Sequence, residues 1–570
     1  MAKEIKKRNR KQPDELAKLQ RAHRKVTSRH VLVLEADVPE DNKRHLFHLA
    51  NNIRLLSNEL TGEMKKRVDQ LTRRTVYREL KATYGKLSKK LSEIKDVESD
   101  VYKRVDGERK AVGKQLADMQ AKFGVTFEEL RHLAEEKCKK YNVSSIFALT
   151  CAEDIWFGVE KVLYGNGKTL HFKKQGELCS IRAKQPTRGV VVKLMNGKLC
   201  FAVDGVAPFG LIVKKNDIFA QSEVEKLVAF LSDKDAEKKF LDVYKQTNVP
   251  QNTFRICYCT LVCEYIRGKM RVWVHITIEG KPVQKVRADG TPRYNFGKGI
   301  VSSDIGTQSI AAASEKGLIL DNLAERDNKS TKESERLERV IQRRMDRSKR
   351  AMNPERFNED GTYKKGSHGK WKKSKNYLED AAMLKNIRRK NAESRKYSIN
   401  EMSNRIRALG DIAITEPSNA KALQKKAKPS KKIDPKTGKE KNVKRSRYGY
   451  SLLHRCPGLM RTTLKKKFEM TGGHFYVVDQ MYRASQYDHK SNTYTKKKLS
   501  QRYHVFEDGT RIQRDLYSAF LMLCANEDLS SPNGEECVNK FDSFQTKHDL
   551  LVEDIKRSNR KICNSGIKVA

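Results

Sequence analysis

Apolar positions change their period several times along the chain, and each change marks a candidate element. His30-Val31-Leu32-Val33-Leu34 is a short apolar run that reads as a strand. From about Asp41 to Tyr164 the period lengthens. Leu46, Leu49, Ala50, Ile53, Leu56 and Leu60 recur at helical spacing, and charged stretches from Glu63 to Phe123 continue the pattern without a proline. Between Lys168 and Lys298 short β-rich runs take over: Gly189 to Val192, Leu199 to Val203 and Gly210 to Val213. A helix is predicted over Glu223 to Tyr244, then two long strands, Phe254 to Tyr265 and Met270 to Ile278, joined by Arg267-Gly268-Lys269. After Gly299 strands and helices alternate. The pattern predicts a strand at Ile300 to Asp304, another beginning at Ile310-Ala311-Ala312-Ala313, and a basic helical stretch from Ser330 to Leu409 broken around Asn353 to Gly369. The strand Asp411 to Glu416, the helix Gly458 to Met470, the strand His474 to Asp479 and the helix Asp515 to Cys524 follow. From Asp528 onward the pattern is weak, and no internal repeat stands out.

A chain of 570 residues suits three or four domains at roughly 150 residues each. Lys and Arg total 118 against 71 Asp and Glu, a net charge of +47, while 38% of residues are apolar. The chain can bury cores, yet its charge would repel itself without an anionic partner. Nucleic acid is the natural one, because Lys and Arg release the counterions of closely spaced phosphates. Two stretches concentrate the charge: a basic arm in the first thirty residues, and a loop at 424–447 with eleven Lys or Arg against Asp434 and Glu440. The N-terminus has no apolar run of the kind a signal peptide needs, and the most apolar window, Leu516 to Ala525, is too short to span a membrane. Eleven cysteines without a CxxC pair suit reduced, intracellular thiols. Cys257, Cys259 and Cys263 fit one strand face rather than a metal site. Gly167-Lys168-Thr169 is similar to the end of a phosphate loop, but Val162 stands where the first glycine is required, so a P-loop is excluded.

Three acids carry the candidate chemistry. Asp304 closes an apolar strand and precedes Ile305-Gly306, Glu416 closes a second strand before Pro417, and Asp515 opens a helix after Arg514. If the two strands are neighbours and the helix crosses them, three carboxylates converge. Clustered like charges then need cations, and hard oxygen ligands suit Mg²⁺, with Mn²⁺ as a substitute. Two such ions, roughly 3.5–4 Å apart, stabilise the attacking and leaving oxygens of phosphodiester hydrolysis.

The segment Ser303-Asp304-Ile305-Gly306-Thr307-Gln308-Ser309 resembles the first RuvC motif of TnpB-like proteins and of the type V CRISPR effectors, which are RNA-guided DNA endonucleases. Ile412 to Asn419, with Glu416, resembles the second motif, and Gln513 to Phe520, with Arg514-Asp515, resembles the third. Cys456 to Met470, His474 to Asp479 and Tyr482 to Gln486 follow the family's intervening order. The likeness is good over 299–525 and only in outline before it.

That resemblance implies a multidomain α+β and α/β chain: a helical recognition lobe inserted in a β-barrel wedge domain, then an RNase H-like RuvC nuclease domain with a mixed sheet. The expected divisions are a basic arm and wedge start at 1–40, the helical lobe at 41–165, the wedge barrel at 166–298 and RuvC at 299–484. A degenerate target-binding insert at 485–511, the third RuvC motif at 512–528 and a tail at 529–570 complete the chain. It further implies Asp304, Glu416 and Asp515 as catalytic metal ligands, a guide RNA and target double-stranded DNA as partners, no membrane, and a monomer in a cytoplasmic, nucleoid-associated prokaryotic particle. The expected reaction is cleavage of DNA chosen by guide pairing beside a short motif; the alternative is an RNA-guided repressor that binds without cutting. Lys385, Arg388, Arg389 and Lys390 are candidate channel residues or a solvated helix face. Family members usually carry two CxxC pairs before the third motif, whereas here no Cys lies between Cys456 and Cys524. Asp488, His489, His504 and Asp508 are the residues from which a substitute site could be built, but structural zinc takes Cys and His in paired spacing, so zinc is not expected.

Overall fold

The computed structural model describes residues 29–174, 180–236, 254–325, 328–417, 430–433, 440–443 and 449–569, apart from positions 95, 97, 166, 186, 234, 267, 268, 365, 367, 368 and 499. The first 28 residues of the basic arm, most of the basic loop at 424–447 and the end of the helix expected to reach Tyr244 lie outside the described residues. The chain forms two compact units, Met1–Val283 and Gln284–Ala570.

The first unit is built on a seven-stranded antiparallel sheet. Strand β1 (Arg29–Asp37) alternates inward Leu32, Leu34 and Ala36 with outward Val31 and Val33, the period-2 pattern of a half-buried strand. Five helices follow it: α1 (Glu40–Arg73), α2 (Thr75–Glu93), α3 (Asp100–Lys122), α4 (Phe127–Lys137) and α5 (Ser145–Leu163). The remaining strands are β2 (Ser180–Arg182), β3 (Val190–Met195), β4 (Lys198–Val203), β5 (Val206–Ile212), β6 (Arg255–Ile266) and β7 (Lys269–Glu279). Their order is β2-β6-β7-β1-β5-β4-β3, and β3 also comes against β6, so the sheet nearly closes into a barrel. Because β1 pairs with both β7 and β5, the helices are an insertion between the first strand and the rest.

Local chemistry fixes these elements. Ser99 caps α3 by accepting from the Tyr102 amide at 3.3 Å, and Thr126 caps α4 from the Glu129 amide at 3.2 Å. Glu59 on α1 gathers Lys137 at 2.8 Å, Lys140 at 2.9 Å and the Tyr141 hydroxyl. The Lys137 hydrogen bond foremost, helped by the other two donors, holds its carboxyl down at about 2. Helix α6 (Ile218–Ser232) starts earlier than the apolar pattern indicated, because the Asp217 carboxylate accepts from the Ala220 amide at 3.0 Å.

The second unit carries a five-stranded mixed sheet. Its strands are β8 (Ile300–Ile305), β9 (Ser309–Ser314), β10 (Gly317–Asn322), β11 (Ile412–Thr415) and, after a short hairpin of β12 (Ser430–Ile433) and β13 (Glu440–Val443), β14 (His474–Val477). The order is β10-β9-β8-β11-β14, with β9 antiparallel to both its neighbours and β11 parallel to both of its own. Helices α7 (Asn328–Met352) and α8 (Lys375–Leu409) are the long basic stretch, broken between them as the sequence pattern indicated. Then come α9 (Gly449–Arg455), α10 (Pro457–Met470), α11 (Arg514–Leu523) and α12 (Gly534–Arg557). One face of the sheet buries Val301, Ile310 and Ala312 against Ile406, Leu464 and Phe468 of α8 and α10. The other buries Ala311, Ala313 and Ile414 against Leu516, Tyr517 and Phe520 of α11, backed by Phe541 and Phe544 of α12.

Three differences from the sequence expectations have physical reasons. The weakly patterned tail contains the 24-residue helix α12. Its cap, Asn533 accepting from the Glu536 amide at 3.1 Å, and its buried Cys537, Phe541, Phe544 and His548 are diluted by charged residues between them. Strand β14 stops at Val477 rather than Asp479, because the Asp479 amide turns away to donate to Leu529 O at 3.0 Å. Strand β10 pairs with β9 through a tight Glu315-Lys316 turn that the pattern did not single out.

The starting edge of the parallel strands is locked by backbone. The Asp411 and Ile412 amides donate to Gly299 O at 2.9 and 3.1 Å, the Gly299 amide donates to the Asp411 carboxylate at 2.8 Å, and the His474 amide donates to Asp411 O at 2.8 Å. A Cβ on Gly410 would stand 2.3 Å from Gly299 O, so only glycine permits this approach. Arg407 braces the same edge from within, 5% exposed. It donates to Gly297 O at 2.7 Å, Gly410 O at 2.9 Å and Thr471 Oγ1 at 2.8 Å, between the rings of Phe296 and Phe468. Arg407→Met should therefore destabilise the unit by about 2–4 kcal/mol, because several buried acceptors lose their donors together. Arg407→Lys should recover only part of this, since one ammonium cannot span acceptors on three segments. The urea midpoint measures both; an unchanged midpoint for the Met variant would discard the bracing role.

Candidate functional site

The parallel pairing of β8 with β11 sets the site. Its register matches Ile412 with Ile300 and ends at Thr415 opposite Ser303, and the Thr415 hydroxyl donates to Ser303 O at 2.9 Å. The next residue in each chain segment is an acid, so Asp304, still paired with Ala311 of β9, and Glu416, just past the end of β11, stand side by side. Glycine then lets the chain turn: a Cβ on Gly306 would stand 3.1 Å from Ser309 O. Helix α11 crosses this end of the sheet. The Ser302 hydroxyl sits 2.5 Å from Ala519 O, pinning helix to strand.

Asp515 lies in the first turn of α11, where a carboxylate is favoured by the helix dipole. The cap is built from afar. The Gln513 side chain accepts from the Leu516 amide at 2.8 Å, while the Gln513 amide donates to His548 Nε2 at 3.0 Å. His548 therefore carries its proton on Nδ1, donating to Asp549 at 2.8 Å, and burial keeps it neutral by lowering its pKa. Arg514, next to Asp515, approaches its carboxylate at 3.4 Å and donates to Gln501 O at 3.0 Å.

The electrostatics tie the three acids together. Burial first, then the charge of Glu416, then that of Asp515, pushes the Asp304 carboxyl well above the usual carboxylate range, with Arg514 opposing. Burial and Asp515 raise Glu416 likewise. Among the described residues neither Asp304 nor Glu416 receives a hydrogen bond or ion pair. Two half-buried carboxylates thus stand together with Arg514 offsetting only part of their charge, an arrangement that suits a further cation. Among the described residues no group of three or more His, Cys, Asp or Glu is gathered tightly enough to hold one ion. The donor chemistry still fits a hard divalent cation, since Mg²⁺ binds through one or two carboxylates and takes its other ligands from water and phosphate.

The other candidate residues fall elsewhere. Lys385, Arg388, Arg389 and Lys390 share the middle of α8. Arg388 is paired with Glu338 of α7 at 3.1 Å and Arg389 with Glu393 at 2.8 Å, while Lys385 and Lys390 are exposed. In the segment without paired thiols, short strands β15 (Tyr487–Asp488), β16 (Thr493–Tyr494), β17 (Tyr503–Val505) and β18 (Arg511–Gln513) fold over aromatic rings. His504 donates from Nε2 to Asp488 at 2.9 Å and accepts from Lys497 at Nδ1. His489 Nδ1 shares a hydrogen bond with the Tyr517 hydroxyl at 2.8 Å and its ring packs edge-on to Phe506, and Lys490 reaches Asp508 at 2.5 Å. Asp488, His489, His504 and Asp508 all have protein partners. Sequence reasoning missed Gln513 and His548, whose roles depend on a contact 35 residues away in sequence.

Neither the protein-family models nor the curated proteins give a match to this chain. Among solved structures it is similar to a Cas12f1–sgRNA–target DNA complex, at 12% identity and a TM-score of 0.37, over 87% of this chain and 98% of that one. A Cas12i1 R-loop complex after target DNA cleavage matches at 9% identity and a TM-score of 0.26, over 95% of this chain and 66% of that one. An AacC2c1–sgRNA–extended non-target DNA complex matches at 9% and 0.21, over 92% and 64%. Likeness at this level leaves the functional case to the site itself. No helix among the described residues is long and apolar enough to cross a membrane.

Two outcomes follow from these electrostatics. Asp304→Asn removes the most strongly opposed charge, so its Tm in a chelator should exceed that of the wild type; an equal or lower Tm would mean that the acids do not repel. His489 is held neutral by burial, its pKa pulled down to about 4 from an ordinary 6.5. The unfolded chain then binds more protons below pH 6.5, so stability is complete above that pH and falls as pH drops toward 4, by on the order of 3 kcal/mol. His489→Phe should flatten that slope in urea titrations at each pH; an unchanged slope would assign it to other groups.

Proposed function

We propose that the chain is an RNA-guided DNA endonuclease of the TnpB-like and type V kind, with Asp304, Glu416 and Asp515 as its metal-holding acids. The observation that carries this reading is the parallel register that sets Asp304 beside Glu416 under the first turn of the helix bearing Asp515. The mixed five-stranded sheet, with its second strand antiparallel, suits the RNase H-like domain the resemblance implies and supports the reading independently of the acids. Bound divalent ions, Mg²⁺ or Mn²⁺, supply stabilisation of the attacking and leaving oxygens in phosphodiester hydrolysis. The chain's own residues do the rest. Asp304 and Glu416 present oxygens from rigid strand ends, Asp515 does so from a capped helix, and Arg514 offsets part of their charge. All three acids belong to one chain and one unit, so a single copy is sufficient. The net charge of +47 suits a guide RNA and a target DNA duplex as partners. Zinc has no part in the proposal.

The test uses the purified protein with the RNA it carries, a matched DNA duplex and Mg²⁺. Asp304→Asn, Glu416→Gln and Asp515→Asn should each slow cleavage by more than about a hundredfold, since even outer-shell partners of a metal site cost 10- to 100-fold. Binding of the matched duplex should persist. Wild-type protein that binds the guided target without cutting it would establish the repressor instead. Cutting that ignores the RNA sequence would leave only a nuclease.

A further inference from the structure

A cavity outside the nuclease site has the size of a small-ligand pocket. It lies in the first unit between α1, α5 and the segment Gly167–Lys173, with a volume of about 330 Å³, inside the usual range of ligand pockets. Its floor is apolar, from Ile155, Val162 and Leu170. The buried Ser57 lines it and is 1% exposed, and its hydroxyl has no hydrogen-bond partner. An orphaned buried hydroxyl is costly, and it is satisfied when a ligand supplies a donor or acceptor.

The rim is cationic. Lys161, Lys168 and Lys173 line the cavity, and Asp154, the acid among the described lining residues, is already paired with Arg182. The segment is held in place rather than loose: Asn58 on α1 donates to Lys173 O and accepts from the Lys173 amide, both at 2.8 Å. Phe172, between two lining residues, lies over Gly62 with half its surface open, and Lys65 sits 5.8 Å from its ring. An apolar slot with one unsatisfied hydroxyl, three lysines at the mouth and an open aromatic face beside it matches a nucleotide. The base fits the slot, the flanking phosphates fit the lysines, and a neighbouring base fits Phe172. A P-loop holds phosphates in a backbone cradle; here lysine side chains would take the phosphates, and the Ser57 hydroxyl lies buried at the cavity wall.

We propose that this cavity captures one unstacked nucleotide of a bound single strand, with its base edge hydrogen-bonded to Ser57. The proposal rests on the reading that the chain binds nucleic acid, and not on its cutting.

The test compares binding of oligouridylate with that of an abasic strand of equal length and charge, using the full chain in fluorescence anisotropy. Wild type should prefer the base-bearing strand by about 5- to 150-fold, the span that stacking of a base supplies. Ser57→Met fills the slot and should bring the preference toward one while abasic binding stays as it was, which also shows that the fold is intact. Ser57→Ala should reduce the preference severalfold without loss of Tm, since it removes a hydroxyl that no protein group satisfies. Phe172→Leu keeps the contact over Gly62 and should lose part of the preference. Strand binding with no base preference, or a preference that survives Ser57→Met, would overturn the pocket while leaving the wider reading standing. No strand binding at all would instead remove the wider reading. Uridine monophosphate that displaces the strand at equal concentration would also overturn it, by making this a site for free nucleotides.

Discussion

Everything at the candidate site depends on one backbone register, the parallel pairing of β8 with β11. A slip of one residue would turn Asp304 and Glu416 to opposite faces of the sheet. The register is fixed at the other end of the strands, where Gly299, Asp411 and His474 exchange backbone hydrogen bonds and Gly410 has no Cβ to hold them apart. Arg407 saturates the carbonyls that this close approach leaves exposed. The acids at one end are therefore positioned by hydrogen bonds at the other. This separation lets the carboxylates stay unpartnered, because none of them has to hold the fold together.

Much of this was readable from residue order alone. Asp304 and Glu416 end apolar β runs, Asp515 begins an amphipathic helix, and the turn glycines stand where a chain must reverse. What the sequence could not show was which strands are neighbours. That follows from long-range pairing, which no local period encodes. Helix α12 was hidden for a related reason: its buried residues contact α11 and the folded segment before it, and the charged residues between them dilute the periodicity. His548 looks like any tail histidine, yet it supports the cap of the helix that bears Asp515 indirectly, through the Gln513 amide.

The segment between Gln486 and Asp515 shows how a small region can be held together without paired thiols. His489, His504, Phe506, Tyr517, Phe520 and Phe541 form one ring cluster, with Lys490 over two of the faces. Rings contribute directional packing as well as buried area. The histidines stay neutral there: His489 meets the Tyr517 hydroxyl through Nδ1, and His504 spends both ring nitrogens, on Lys497 and Asp488. Such a cluster is sensitive to acid where a thiolate site is sensitive to chelators, so the two constructions fail under different conditions.

The chain carries two electrostatic imbalances of opposite sign. Its net charge is strongly positive, while at one end of the mixed sheet half-buried carboxylates repel one another with Arg514 offsetting only part of their charge. Neither can be relieved by the other. Surface lysines are too mobile and too well hydrated to neutralise acids fixed at strand ends, and acids so confined cannot screen a surface. Each imbalance selects its own kind of partner, polyanions for the surface and compact hard cations for the acids. A nucleic acid with its divalent counterions brings both at once. On the proposed reading, then, the site is completed only when the polymer that the surface attracts has arrived, which confines the chemistry to bound substrate.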